Sequence, residues 1–132
     1  MTPALSYLVW SIVLCWLMVL IASLVRAESW TSAGLLKAFG NRDDLGDASA
    51  LAGRMDRAAK NMLENLQFFG LLVLTAQAAG KGADSGVTTG AMLFFWARVV
   101  YAPLYWAGVK FLRTGAWAAA VVGMLMIGRA LL

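Results

Sequence analysis

The sequence predicts an all-α integral membrane protein, built as a single domain of four transmembrane helices. Of its 132 residues, 61% are hydrophobic and 14% are charged, and the mean hydropathy is +0.73. A soluble domain of this length has too little interior to hide so much apolar side chain. Four apolar segments approach the length of about 20 residues that a helix needs to cross a bilayer. They lie at about residues 3–25, 61–79, 87–111 and 115–132.

The first span, "PALSYLVWSIVLCWLMVLIASLV", favours a retained helix over a cleaved signal peptide. It has no basic residue before its apolar core, and that core exceeds the usual length of about 7–15 residues. Cys15, the only cysteine, lies inside this segment and is interpreted as a packing residue. Because the chain has no histidine, most zinc sites and any histidine-based triad are excluded, and we expect no metal.

The connection over residues 26–60 is long and polar. "GNRDDLGDAS" is dense in Gly, Asn and Asp, which is typical of a turn. "SALAGRMDRAAKNMLENL" then predicts a helix, with Asp47 or Ser49 as its N-cap. The helix of the second span is therefore expected to begin several turns before the membrane.

The basic residues are distributed unequally between the two sides of the predicted bundle. Two lie on the side of the second loop and the C-terminus, Lys81 and Arg129. The first and third loops hold Arg26, Lys37, Arg42, Arg54, Arg57, Lys60, Lys110 and Arg113. The positive-inside bias predicts that these two loops are cytoplasmic and that both termini face the other side. No basic run with interleaved aromatic residues is present, so no nucleic-acid partner is expected.

A polar stripe leads from the first loop into the second span. On a helix, Arg54, Arg57, Asn61 and Glu64 fall within an arc of about 80°, and Gln67 extends the stripe by a turn. Snorkelling toward the headgroups explains the two arginines. It does not explain Glu64, because a carboxylate inside the apolar boundary is costly unless it is paired.

The third span carries a cation near its middle. Arg98, Tyr101 and Tyr105 are spaced i, i+3 and i+7 and so share a helix face. An unpaired guanidinium at mid-bilayer costs at least about 2.5–3.5 kcal/mol. Glu64 is the only acidic residue in an apolar span, so we predict a buried Glu64–Arg98 contact, within one subunit or between two. The alternatives are a purely structural role for Arg98 and an interfacial belt for the tyrosines.

Three segments, "GNRDDL", "GRMDRAAKNMLENLQFF" and "ARVVYAPLYWAGVKFLRTGAW", resemble the MAPEG family, the membrane-associated proteins of eicosanoid and glutathione metabolism. "GNRDD" is similar to the bacterial branch, which implies a bacterial inner membrane. The resemblance implies a homotrimer of four-helix subunits. It also implies glutathione between neighbouring subunits near the cytoplasmic side, and a lipophilic co-substrate that arrives from the bilayer.

The resemblance also implies which residues bind or activate glutathione. They are Arg26, Lys60, Asn61, Glu64, Arg98, Tyr101, Tyr105 and, in the third loop, Arg113. Tyr105 and Arg113 are the expected catalytic residues, because a hydroxyl or guanidinium near the sulfur favours the thiolate. Arg57 joins Arg26 and Lys60 as an expected carboxylate-binding residue, and Glu64 is expected to hold the ammonium group.

Two functions remain open at the level of the sequence. The first is a membrane-bound glutathione transferase or peroxidase, and the second is a non-catalytic relative that binds a thiol, a lipid or a partner protein. A small multidrug-type transporter is disfavoured, because such exporters usually carry an acidic residue in the first span, and this span has no charge before Arg26.

Overall fold

The computed structural model describes all 132 residues and consists of five α-helices joined by short turns and one longer loop. The helices are α1 (Pro3–Ala27), α2 (Ser32–Phe39), α3 (Ala50–Ala78), α4 (Ser85–Trp106) and α5 (Lys110–Leu131).

Three of these helices are long and apolar enough to cross a membrane, namely α1, α4 and α5. The longest helix is α3, with 29 residues, but its first half carries the polar stripe and lowers its mean hydropathy. The second half of α3 corresponds to the predicted span at residues 61–79. Ser49 is its N-cap, and the Ser49 hydroxyl accepts a hydrogen bond from the Ala52 N–H at 3.1 Å. The prediction that this helix begins several turns before its apolar half is confirmed.

The sequence predicts a turn over residues 40–49 and a helix from residue 49, and it assigns no structure to residues 26–39, so α2 is not predicted. Thr31 caps α2 by accepting a hydrogen bond from the Gly34 N–H at 2.9 Å. An eight-residue helix is too short to be stable alone, so its contact with the end of α1 stabilises it. This contact between two helices cannot be read from the local sequence of residues 32–39.

The boundary between the last two spans was also predicted incorrectly. The third span was expected to reach Phe111, but α4 ends at Trp106 and α5 begins at Lys110. Gly108 makes the turn with a φ of 79°, in the left-handed region that glycine adopts without a steric penalty. Most residues around this turn are apolar, with Lys110 as the exception, so the apolar pattern extended the predicted span across the turn.

The helices form one bundle in which α3 and α4 each contact all three of the other long helices. α1 packs against α3 and α4, and α3 also contacts α4 and α5. Between α3 and α4, the rings of Phe69 and Phe94 stack with centroids 3.9 Å apart. α4 and α5 are in close backbone contact where Gly90 faces Gly123, since a Cβ on Gly123 would lie 2.6 Å from the Gly90 carbonyl oxygen. Small residues permit this close helix packing in lipid.

Two interactions define the ends of the bundle. At one end, the Arg54 Nε donates a hydrogen bond to the Trp106 carbonyl at 2.8 Å, which ties the first turns of α3 to the last turn of α4. We call this the basic end; it also contains α2, the C-terminus of α1 and the first turn of α5. At the opposite end, the Lys81 Nζ donates to the carbonyls of Ala130 and Leu131 at 2.8 and 3.2 Å.

Candidate functional site

Arg98 lies in the interior of the bundle with no exposed surface. Its Nη1 donates a hydrogen bond to the Asn61 Oδ1 at 2.8 Å, while its Nε and Nη2 have no hydrogen-bond partner. The guanidinium carbon lies 5.0 Å from the centroid of the Tyr101 ring and 5.5 Å from that of Phe94. One amide oxygen and two aromatic faces therefore surround this cation, and no carboxylate does.

The predicted contact between Glu64 and Arg98 is wrong. Glu64 is exposed on the surface of the chain, and Asn61 occupies the position beside Arg98. These two residues of α3 differ by about 60° around the helix axis, and it is Asn61 that faces α4. A contact from another subunit is excluded by the same packing, because Arg98 is fully covered within its own chain.

Tyr101, Tyr105 and Arg113 continue from Arg98 toward the basic end. The ring centroids of Tyr101 and Tyr105 lie 5.4 Å apart with the planes tilted by 60°. The Arg113 guanidinium carbon lies 4.4 Å from the centroid of the Tyr105 ring, within the range of a cation–π contact. The predicted shared face of Arg98, Tyr101 and Tyr105 is confirmed. With Arg113 it forms a row in which two aromatic rings lie between two cations.

A small cavity of about 200 Å³ lies beside this row. It is lined by Asn61, Tyr101, Arg113, Thr114 and Trp117. The cavity brings together one residue of α3, one of α4 and three of α5, so three of the predicted site residues face a common space.

Arg113 lies on α5, one turn after its start, and not in the third loop as expected. It also lines a larger cavity of about 520 Å³ at the basic end, together with Arg54, Arg57 and Lys110. The lining of this cavity contains no acidic residue, so its field is strongly positive. Arg113 thus joins a cationic cavity to a smaller space with aromatic walls.

Arg26 and Lys60 lie elsewhere, on the side of α3 that faces α1. They line a separate cavity of about 390 Å³, which also contains Arg42 and Asp56. The Arg26 guanidinium donates to the carbonyls of Leu45 and Gly46 at 3.2 and 2.5 Å. Arg26 therefore also holds the loop that leads into α3.

The sequence matches the profile of the MAPEG family over residues 3–132. The chain belongs to the MAPEG family. No curated protein matches it.

In this MAPEG chain the predicted site residues fall into two groups separated by α3. Asn61, Arg98, Tyr101, Tyr105 and Arg113 form the row and the small cavity, and Arg57 lines the cationic cavity beside it. Arg26 and Lys60 line the cavity on the α1 side, and the exposed Glu64 lines none of these three cavities.

Several residues of this MAPEG chain line the two cavities but were not predicted to belong to the site, and four of them have long or polar side chains that can contact a ligand. They are Arg54, Lys110, Thr114 and Trp117. Arg54 precedes Arg57 by three residues on the same stripe, so helical spacing was sufficient to include it. Trp117 follows Arg113 by one turn, but this signal depends on a helix that begins at Lys110 and not at about residue 115.

Proposed function

We propose that this protein is a membrane-bound glutathione-dependent transferase or peroxidase that acts on lipophilic electrophiles. Membership of the MAPEG family supports a glutathione-related role. The observation that carries the proposal is the position of Arg113, whose guanidinium lines the cationic cavity and also covers the Tyr105 ring at the edge of the bundle.

The charges of the site match those of glutathione, which offers two carboxylates, an ammonium group and a thiol. In the proposed complex, Arg57 holds a carboxylate in the cationic cavity by a charge-assisted hydrogen bond. Arg113 and the Tyr105 hydroxyl lie near the sulfur, where a positive charge and a donor favour the thiolate. The thiolate then attacks an electrophilic carbon and displaces its leaving group. Alternatively it attacks the outer oxygen of a hydroperoxide: an S–O bond forms, the O–O bond breaks and the alkoxide takes a proton and leaves as the alcohol. A second glutathione then reduces the sulfenic acid, giving water and the disulfide.

In the proposed arrangement all four long helices span the membrane, with α3 crossing through its apolar second half. The basic end faces the cytoplasm, because it holds eight of the eleven Lys and Arg residues of the chain and the positive-inside bias places such an end there. Lys81 and Arg129, with both termini, lie at the other side. A bacterial inner membrane remains the proposed location.

A homotrimer is the proposed assembly, and the surface of α3 supports an oligomer. Glu64 and Gln67 are exposed on a single chain, next to Phe68 and Leu71, which are also exposed. Facing lipid, the Glu64 carboxylate would be costly. A neighbouring subunit that covers this surface removes the cost and leaves Glu64 available to an ammonium group at the interface.

The alternative function is a non-catalytic MAPEG protein that binds a thiol, a lipid or a partner protein. A specific observation favours it, because several cations of the expected site already have structural partners. Arg26 bonds Leu45 and Gly46, and Arg98 bonds Asn61. These contacts hold the bundle together whether or not glutathione binds.

The two functions are distinguished with detergent-purified protein. Glutathione is added while thiolate absorbance, thermal stability and conjugation to an aryl halide are recorded. The enzyme proposal predicts a thiolate signal and turnover, both reduced in Arg113→Ala. Stabilisation by glutathione without turnover would favour the non-catalytic alternative, and the absence of both stabilisation and turnover would refute the enzyme.

A further inference from the structure

We infer that α2 is an interfacial helix that inserts its apolar face into the headgroup layer of the phospholipid bilayer. This surface lies outside the candidate glutathione site, and the inference does not depend on the proposed activity.

The apolar face of α2 consists of Leu35, Leu36 and Phe39, which lie within an arc of about 100° on the helix. Leu36 is 75% exposed and Phe39 is 83% exposed. Trp30, in the turn before α2, is 70% exposed. Nothing else in the chain covers these side chains, although they are among the most apolar of the loop.

The opposite side of α2 is fixed against the rest of the protein. Gly34 is buried there, and a Cβ at this position would overlap the carbonyl oxygens of Ala27 and Glu28. This backbone contact seats α2 directly on the end of α1. The apolar face is therefore directed away from α1. Since α2 already packs on α1 through its other side, this face is not used for packing within the chain.

The depth of α2 follows from the length of α1. With 25 residues, α1 is about 37 Å long, whereas the hydrocarbon core of a bilayer is about 30 Å thick. The end of α1 thus reaches the headgroup layer, and α2 is held at that level. The exposed apolar surface of α1 extends to Leu24, so lipid contact continues almost to the turn before α2.

The charge on α2, between its apolar face and the side that packs on α1, also fits a position in the headgroup layer. Lys37 is exposed and lies about 100° from Leu36 around the axis, away from Leu35 and Phe39. A helix with one apolar face and a cationic residue on the other lies in the plane of the interface, with its apolar side chains buried about 5–10 Å deep. Two leucines and a phenylalanine are suited to this layer, and an aqueous exposure would leave them without partners.

The test measures lipid contact at individual positions of the full chain in phosphatidylcholine vesicles. Cys15→Ala supplies a background without thiols, and Leu36→Cys or Phe39→Cys carries an environment-sensitive fluorophore. Ala33→Cys and Lys37→Cys, both exposed and on the other side of α2, are the matched controls. Quenching is recorded with nitroxide lipids and, separately, with aqueous iodide.

We expect lipid quenching to be roughly twofold or more stronger at positions 36 and 39 than at 33 and 37, with the opposite order for iodide. Equal and strong iodide quenching at all four positions would show that α2 lies in water and would overturn the inference. Protection of positions 36 and 39 from both quenchers, with crosslinking between copies, would assign this face to a subunit contact and would overturn it as well.

Discussion

Removal of the Asn61 amide should destabilise the bundle more than removal of the Arg98 charge itself. Asn61 provides the only hydrogen bond to the guanidinium of Arg98, and the Arg98 Nε and Nη2 already lack partners. In Asn61→Ala the cation stays buried and loses its last acceptor. In Arg98→Met an uncharged side chain of comparable volume, although shorter, occupies the space between Phe94 and Tyr101.

The expected magnitude follows from the cost of a buried unpaired donor. A hydrogen bond to a charged group contributes about 1.5–3 kcal/mol, although pairs between membrane helices average about 0.6 and reach about 1.7 kcal/mol. We therefore expect Asn61→Ala to lower the free energy of unfolding by about 1–2 kcal/mol. Because volume-conserving changes usually cost less than about 1.5 kcal/mol, Arg98→Met should cost less than Asn61→Ala.

The double variant Asn61→Ala/Arg98→Met gives the sharpest result. Once the charge is gone, the amide has nothing to satisfy, so the double variant should be about as stable as Arg98→Met alone. Cys15 supplies the assay, because this sole cysteine is 4% exposed and reacts with a thiol-specific fluorophore when the bundle opens on heating. Additive losses from the two single changes would refute a coupling between Asn61 and Arg98.

Three other predictions follow from particular contacts. Arg113→Ala should lower glutathione turnover by roughly 100-fold with little change in melting temperature, whereas Lys110→Ala, from the same cavity, should retain most turnover. Gly123→Val should destabilise the chain by about 1–3 kcal/mol, because its side chain meets the Gly90 carbonyl; Gly115→Val, where a Cβ meets nothing, is the control. Lys81→Met should speed amide exchange in the last turn of α5, and Arg129→Met should not; equal exchange in both would exclude capping by Lys81.

The helices were predictable from the sequence wherever local pattern determines structure. The first span, the early start of α3 and its Ser49 cap follow from apolar length and capping chemistry, which act within a few residues. α2 and the turn at Gly108 were not predictable in this way. The first depends on a contact with the end of α1. The second interrupts a stretch that is mostly apolar, with Lys110 as its one charged residue between residues 99 and 112.

The site was predictable as a set of residue types but not as a set of partners. Burial of Arg98 and its need for a polar neighbour followed from its position in an apolar span. The choice of Glu64 as that neighbour was wrong, because charge complementarity favoured a carboxylate while the rotation of α3 directs Asn61 toward α4. A neutral amide satisfies one donor, and the faces of Tyr101 and Phe94 supply the remaining stabilisation.

The division of the site by α3 leads to a final prediction about assembly. Lys60 lies on the α1 side and Arg113 on the α5 side, and the helix between them is about 10 Å across with its side chains. An extended tripeptide is about 10 Å long, so one glutathione does not reach around α3 to touch both groups within one chain. If both groups bind it, the α1 side of one chain meets the α5 side of the next. Such a head-to-tail contact closes into a ring when the rotation permits.

Complementation between chains tests this arrangement. Lys60→Ala and Arg113→Ala chains are each expected to be nearly inactive when purified alone. When the two are co-expressed, an interface that combines Arg113 of the Lys60→Ala chain with Lys60 of the Arg113→Ala chain restores an intact site, so turnover should recover in part. The control mixes the Lys60→Ala and Arg113→Ala proteins after each has been purified alone, under conditions in which assembled oligomers do not exchange subunits. This mixture should remain nearly inactive. If co-expression restores nothing while each variant still binds its neighbours, the two residues do not serve one glutathione across a subunit boundary, and the site is formed by the α5 side of a single chain.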